Sequence, residues 1–504
     1  MKRKWIPIWI TVLCYMTIQA GVWAQTSLKP TDEEILLKTL HSISSHTLYD
    51  YVAELCEDKY AGRLTGTQEY KAAADWVASH FKKWGLKPYG DNGTYFQHFP
   101  ISYTLIFEGS EVALHMPVKK GTIKKQYKYV DEFMPGSTSG SGEITAEVIY
   151  CGYGITAPEL EYDDYKGMDV KGKIILIERE APVSPDSDAD LFKKWRPYSF
   201  HQYKLENAVK HGAAGMLYNY GPIANPNNAY DENFIYSHVG DVVVADMFTG
   251  TGKTHKDIVE KIQKDLKPQS FKTGKTATIK NVTEHHPEGI GSNVIALIEG
   301  SDPVLKEEVI ILAGHLDHMG RCYEIIPGAN DNASAVAVLM GVAEAMAKHP
   351  VKPKRSILFI ALGAEEQGVV GSEYYLDHPA FPLEKTVCCI NMDGVGCGDK
   401  ISAIAAKNFP DMWTFFDTAN KEYIRRVVRT SHFANLARPR LDAARFLWKN
   451  VPTISFAVFG SKSYYHIPLD NLSTITPEIM EDLAQLIFLS VLDMSDESRL
   501  DFRQ

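Results

Sequence analysis

The stretch "ILAGHLDHMG" at 311–320 places an apolar run, Ile310 to Ala313, just ahead of His315, Asp317 and His318. Four later stretches repeat the arrangement. They are Asp331 in "GANDNASA", Glu365 and Glu366 in "GAEEQG", Asp393 in "NMDGVG" and His466 in "YYHIPLDN". Each alone is weak evidence of chemistry. An Asp after a strand is most often a turn or cap residue, adjacent Glu residues are mostly solvated, and a lone His is more often packed than ligating. The combination is different. Imidazoles and carboxylates without thiolates suit one or two Zn²⁺ ions. "GAEEQG" also follows the apolar run "ILFIAL", where an exposed charged face is not expected.

The elements that must carry these groups are legible from periodicity. "TQEYKAAADWVASHFKKWGL" places Ala73, Trp76, Val77, His80, Phe81 and Trp84 at helical spacing and stops at Gly85. "AEVIYCGYGI", "GKIILIERE" and "AAGMLYNYG" read as strands, with a helix "YKLENAVKHG" before the last. This is a compact α/β unit. After about Pro287 apolar strands alternate with helices: "SNVIALIEG", "EEVIILAGHLD", "RSILFIALGAEE", "KTVCCINMDGVG" and "PTISFAVFG" are strands, and "ASAVAVLMGVAEAMAKH" is a helix of small residues. The pattern predicts an α/β fold, an α/β/α sandwich whose mixed, mainly parallel sheet is covered on both faces. In such sheets chemistry collects where strands end.

The 504 residues are 45% apolar and 23% charged, and the net charge is −10. A nucleic-acid partner normally requires a basic face, so none is expected. Lys2, Arg3 and Lys4 precede an apolar stretch from Trp5 to about Ile18, followed by Val22-Trp23-Ala24. Residues 1–24 thus resemble a secretory signal peptide, with an apolar stretch shorter than the roughly 20 residues a spanning helix needs. The mature chain is expected to be exported, periplasmic or extracellular, with no membrane span. Leu13 ahead of Cys14 is a poor fit to lipid attachment. Six cysteines remain beyond it; none has C-x-x-C spacing, and their pairing stays open. Core packing is expected for Cys388 and Cys389.

The order H-x-D, G-A-N-D-N-A-S, E-E, N-M-D, Y-H resembles the di-zinc aminopeptidases and glutamate carboxypeptidase-like peptidases. The metal-bearing likeness covers about 286–500 and extends to "AGRLTGTQEYKAAADWVASHFKKWGLKPYG". It implies a zinc-exopeptidase-like fold holding two Zn²⁺ per chain. By the resemblance, His315 and Asp393 hold one zinc, Glu366 and His466 the other, and Asp331 bridges them. Glu365 is then the general base that takes a proton from a metal-activated water. Asp317 orients His315 through its far ring nitrogen. Tyr465 is a candidate donor to the oxyanion, with simple packing as the alternative. The family pattern gives His318 no part, so it lines the cleft or is incidental. The resemblance also implies a cis bond between Asp331 and Asn332, with the Asn332 side chain anchoring the loop.

The middle of the chain, 118–285, resembles a protease-associated domain through "YCGYGI", "YDDYKGMDVKGKIILIERE" and "KLENAVKHGAAGMLYNYG". The expected organisation is a signal peptide at 1–24, peptidase domain at 25–117 and 286–504, and the insert between. One departure touches specificity. Where the family often reads S-D-H-x-x-F, this chain has "RPRLDAARF": Asp442 and Phe446 remain, while Leu441 and Ala443 replace the Ser and His. The function expected is an exported aminopeptidase acting on peptides. A carboxypeptidase or dipeptidase on the same scaffold is the alternative, with Arg438, Arg440 and Arg445 as carboxylate binders. A glutaminyl cyclase or an inactive receptor-like module fits less well. Oligomeric state is not legible.

Overall fold

The computed structural model describes residues 31–435 and 440–503. The expected signal peptide and Arg438 lie outside the described residues. Two sheets divide the chain. In the larger, the strands run in the order Phe96–Ile106, Thr283–Ile298, Ser356–Leu362, Val309–His315, Thr386–Met392, Thr453–Gly460 and Gly398–Ile404, with short strands at both edges. The four from Ser356–Leu362 to Thr453–Gly460 are mutually parallel, and their neighbours on both sides run antiparallel. The sheet is mixed with a parallel centre, as the sequence predicts.

The central strands are apolar throughout because helices bury both faces. One face packs against Ser45–Leu55, Gln68–Lys83, Ser334–Lys348 and Pro477–Asp496 in a core that includes Leu48, Val77, Phe81, Val338 and Leu486. The other packs against Val370–Asp377 and Asp442–Trp448 through Tyr375, Leu376 and Phe446. The small-residue helix Ser334–Lys348 lies close to the sheet because Ala335, Ala337 and Ala343 are wholly buried on it. The helix Gln68–Lys83 starts where Thr67 accepts the N–H of Tyr70 and is followed by Gly85 at φ +80°, the C-terminal glycine the sequence signals.

The second sheet has eight strands, from Glu111–Val118 to Phe271–Asn281, with a parallel centre of Gly142–Tyr150, Ile174–Glu178, Gly215–Asn219 and Ile235–Val239. Its two main cores are separate from those of the larger sheet, and a small cluster of Met134 and Ala224 with Ile106, Met319, Cys322 and Ile326 joins the two units. By strand pairing the boundary between the sheets falls between Ile106 and Glu111 on the way in and at Val282 on the way out. Glu111–Val118 therefore pairs within the second sheet, ahead of the boundary at 118 that the protease-associated resemblance implies. The strand is mostly apolar, with Glu111 and His115 its polar residues, and nothing in its sequence says which sheet it joins. The six cysteines among the described residues are all free thiols, and Cys388 and Cys389 are wholly buried.

Candidate metal centre

The groups singled out in the sequence converge at the C-terminal ends of the parallel strands. His315 closes Val309–His315, Glu365 and Glu366 follow Ser356–Leu362, and Asp393 follows Thr386–Met392. His466 follows Thr453–Gly460, and Asp331 sits on the turn ahead of Ser334–Lys348. Strands that run parallel must end on one side of the sheet, so residues up to 151 positions apart in sequence meet there.

Three overlapping ligand sets result. The donor atoms of His315, Asp331 and Asp393 lie within 4.8 Å of one another, as do those of His318, Asp331, Glu366 and His466, and those of His315, Glu365 and Glu366. Asp331 belongs to two of them. Its Oδ1 is 3.4 Å from His315 Nε2, and its Oδ2 is 3.3 Å from His466 Nε2. Asp393 Oδ1 is 3.7 Å from His315 Nε2, and Glu366 Oε2 is 3.1 Å from His466 Nε2. Asp331 and His466 are only 8% and 4% exposed, so this is interior chemistry.

The donor set fits divalent zinc. Imidazole and carboxylate are its ligands in the absence of thiolate. Among the described residues, the buried Nε2 atoms of His318 and His466 make no hydrogen bond of normal geometry, although carboxylate oxygens surround His466. The local electrostatics call for added positive charge. Burial opposes a charge on His466, but Glu366 and Asp331 outweigh it and raise its pKa to about 10. Burial likewise opposes protonation of His315, while Asp317, Asp331 and Asp393 raise its pKa well above the usual value. Burial, together with Glu366, Asp442 and Asp393, holds the Glu365 carboxyl far above the ordinary carboxylate range, against the opposing effect of His315.

The local backbone explains the placement. The Asp331–Asn332 peptide is cis, and the Asn332 side chain spans the neighbouring turn, donating to Met392 O at 3.1 Å and accepting Gly394 N–H at 3.0 Å. Ala364 at φ +53° turns the chain after Leu362, and its N–H donates to Thr65 Oγ1. The wholly buried Arg63 donates to the carbonyls of Leu55, Leu316, Pro327 and Gly328. It thereby ties the "GR" stretch to the segments that bear His318 and Asp331.

Two sequence readings need revision. His318 is not incidental: it is wholly buried, and its Nδ1 is 2.9 Å from Glu366 Oε1. Its position next to His315 and Asp317 masked it, because the family pattern already accounts for that stretch. Asp317 does more than face His315. Its carboxylate oxygens accept the backbone N–H groups of Glu365 at 3.1 Å and Glu366 at 3.2 Å, while His315 Nδ1 is 3.6 Å from Asp317 Oδ1 and 3.2 Å from the Asp317 carbonyl. Sequence reasoning also passed over Asp470. Its carboxylate accepts the N–H groups of Asn330 and Asp331 at 2.9 and 3.0 Å.

A cleft of 610 Å³ opens above Glu365, Glu366 and His466 and is walled by Arg179, Gln202 and Asn227 of the second sheet's unit. Tyr465 lines it, 52% exposed, with its ring stacked on that of His466. Arg440 Nη2 lies 4.0 Å from Glu180, and Arg445 Nη2 is 2.9 Å from Glu373. Asp442 is buried rather than cleft-lining, and burial raises its pKa to about 7.

Residues 293–491 match the model of peptidase family M28. Over 197 residues the chain is 24% identical to aminopeptidase YwaD of Bacillus subtilis, covering 37% of this chain and 41% of that one. It is also 24% identical over 181 residues to a vacuolar membrane protease of Lodderomyces elongisporus, covering 36% of this chain and 18% of that protein. The chain thus spans less than half the length of these curated relatives. Two solved structures share the fold across nearly the whole chain. An aminopeptidase from Aneurinibacillus sp. strain AM-1 superposes with TM-score 0.63 at 22% identity, covering 93% of this chain and 98% of that one. A peptidase M28 precursor from Shewanella amazonensis superposes with TM-score 0.64 at 19% identity, covering 94% and 97%.

Proposed function

We propose, from the match of residues 293–491 to the model of peptidase family M28, that the chain is a di-zinc aminopeptidase removing N-terminal residues from peptides. The observation that carries the reading is Asp331, whose two carboxylate oxygens face two different imidazoles, His315 and His466, at 3.4 and 3.3 Å. One carboxylate shared between two clusters is the arrangement a two-metal site requires. His315 and Asp393 would hold one zinc, Glu366 and His466 the other, and Asp331 both. His318 stands against Glu366 in the second cluster. Two zinc ions there would lower the pKa of a shared water and polarise the scissile carbonyl.

The chain's own residues do the rest. Glu365 lines the cleft beside Glu366 and His466, placed to accept a proton and pass it to the leaving amine. Asp317 keeps Glu365 and Glu366 in register by binding both of their backbone N–H groups. Tyr465 lines the cleft and would serve as the oxyanion donor. The unit built on the second sheet, read as a protease-associated domain, walls the cleft and limits substrates to those that enter from its open side. Export rests on the character of residues 1–24; no helix among the described residues is long and apolar enough to cross a membrane.

The test is metal dependence. Chelation should abolish hydrolysis of an aminoacyl substrate, and Zn²⁺ or Co²⁺ should restore it. Fully active protein that contains no transition metal would overturn the reading.

A further inference from the structure

The imidazole of His466 has two ends. Its Nε2 faces Asp331 and Glu366. Its Nδ1 lies 3.0 Å from the carbonyl oxygen of Ala224, which belongs to the loop between the strands Gly215–Asn219 and Ile235–Val239 of the inserted unit. The contact is reciprocal, since the N–H of Ala224 donates to the carbonyl of His466 at 3.0 Å. A carbonyl can only accept, so Nδ1 must carry a proton, and Nε2 is the nitrogen that would give up its own proton to ligate a metal among the carboxylates. Ligating histidines are commonly fixed by such a partner, which sets both tautomer and ring direction. Here the partner comes from the other sheet, 242 residues away in sequence.

The loop that presents Ala224 is itself held. Asn225 N–H donates to the buried Ser137 hydroxyl at 2.9 Å, and Asn225 Oδ1 accepts Asn227 N–H at 2.9 Å. The ring of His238 lies 2.7 Å from the Ile223 carbonyl. Burial lowers the His238 pKa to about 4, so the ring is neutral and donates one N–H to that carbonyl. Further along, Asn227 abuts the loop of Glu365 and Glu366: a Cβ built on Gly368 would lie 3.1 Å from Asn227 Oδ1.

We infer that the inserted unit is a working part of the metal centre: its loop, through the Ala224 carbonyl, sets the tautomer and aim of His466, so that the metal position shared by Glu366 and His466 depends on how the insert is seated. This rests on the two-zinc reading. Ser137 and Asn225 are then positioning residues for a ligand they do not touch.

The experiment is stepwise chelator competition on the full chain loaded with Zn²⁺. Ser137→Ala removes the acceptor that holds Asn225. One of the two zinc ions should then be released at a roughly 10- to 100-fold lower chelator concentration, with the other unchanged. Ser137→Thr, which keeps the hydroxyl, should restore the native curve. The visible spectrum of the Co²⁺-loaded Ser137→Ala protein should change for one site only. Asn225→Ala loosens the same loop from its other side and repeats the test should Ser137→Ala not fold. Equal weakening of both zinc ions, or native release of both, would overturn the inference. Failure of the wild-type chain to take up zinc would instead sink the two-zinc reading, and the inference with it.

Discussion

The carboxylate of Asp470 accepts the backbone N–H of Asp331 at 3.0 Å and that of Asn330 at 2.9 Å. The segment that bears His466 therefore also seats the carboxylate that His466 faces, and the two ligand loops are fixed to each other as well as to the sheet. Asp470→Ala would leave two interior N–H groups without an acceptor, at about 1–3 kcal/mol each. Denaturant titration should register a loss of that order, and zinc content after dialysis should fall. Asp470→Asn should fall between, because its NH₂ would meet an N–H where an oxygen now sits. A native zinc content in Asp470→Ala would show that the turn holds its shape unaided.

Glu365 and Glu366 are neighbours in sequence with different surroundings, so their amide variants should separate. Glu365→Gln cannot take a proton from water. Turnover should fall by roughly 10²-fold or more while both zinc ions remain. Glu366→Gln removes a charge from the cluster with His318 and His466, so zinc content should fall toward one per chain. Near-native turnover in both variants, measured beside metal analysis, would refute the assignment.

An aminopeptidase recognises a free amine. An unblocked dipeptide should be hydrolysed and its N-acetylated form left intact, as followed by chromatography of the products. Equal rates on the two would point to the carboxypeptidase or endopeptidase reading.

Stability should depend on pH through the inserted unit. Lys204 is wholly buried, donates to the Tyr153 carbonyl, and burial lowers its pKa to about 7 against partial compensation by Asp164. In the unfolded chain a lysine titrates near 10.4. Between those values the unfolded state binds more protons, so stability rises as pH increases from about 7 toward 10. Asp164, whose pKa burial raises to about 7, acts in the opposite sense below that window, where stability falls as pH rises from its unfolded value near 3.9. Lys204→Met should abolish the rise between pH 7 and 9.5 in denaturant midpoints, and an unchanged rise would assign it to another group.

The sequence was legible where side-chain identity does the work. His315, Glu366, Asp393 and His466 stand out because each ends or follows an apolar strand with ionisable chemistry, Asp331 because it opens the small-residue helix, and the parallel centre of the sheet follows from runs of apolar residues too long to alternate. It was silent where the backbone does the work. Ala224 contributes a carbonyl, which every residue has, so no letter at that position marks it as the partner of His466. Asp470 was passed over because its carboxylate oxygens accept backbone amides rather than facing a metal or a substrate. Glu111–Val118 fell outside the expected insert because a short, mostly apolar strand fits either sheet, and pairing with Phe271–Asn281 and Gly121–Gln126 decides.

Thr283 pairs with Ile106, and Phe107 N–H donates to Val282 O at 2.8 Å, so the chain leaves the larger sheet and returns to it at adjoining positions on one antiparallel ladder. In architectural terms, the inserted unit is an outgrowth at the tip of a β-hairpin. Closing Ile106 to Thr283 with a two-residue turn would restore an ordinary hairpin with every rung below it intact. Excision would thus spare the sheet while removing the backbone carbonyl that faces His466. A shortened chain that folds but binds its metals unequally is the form in which this dependence would show itself.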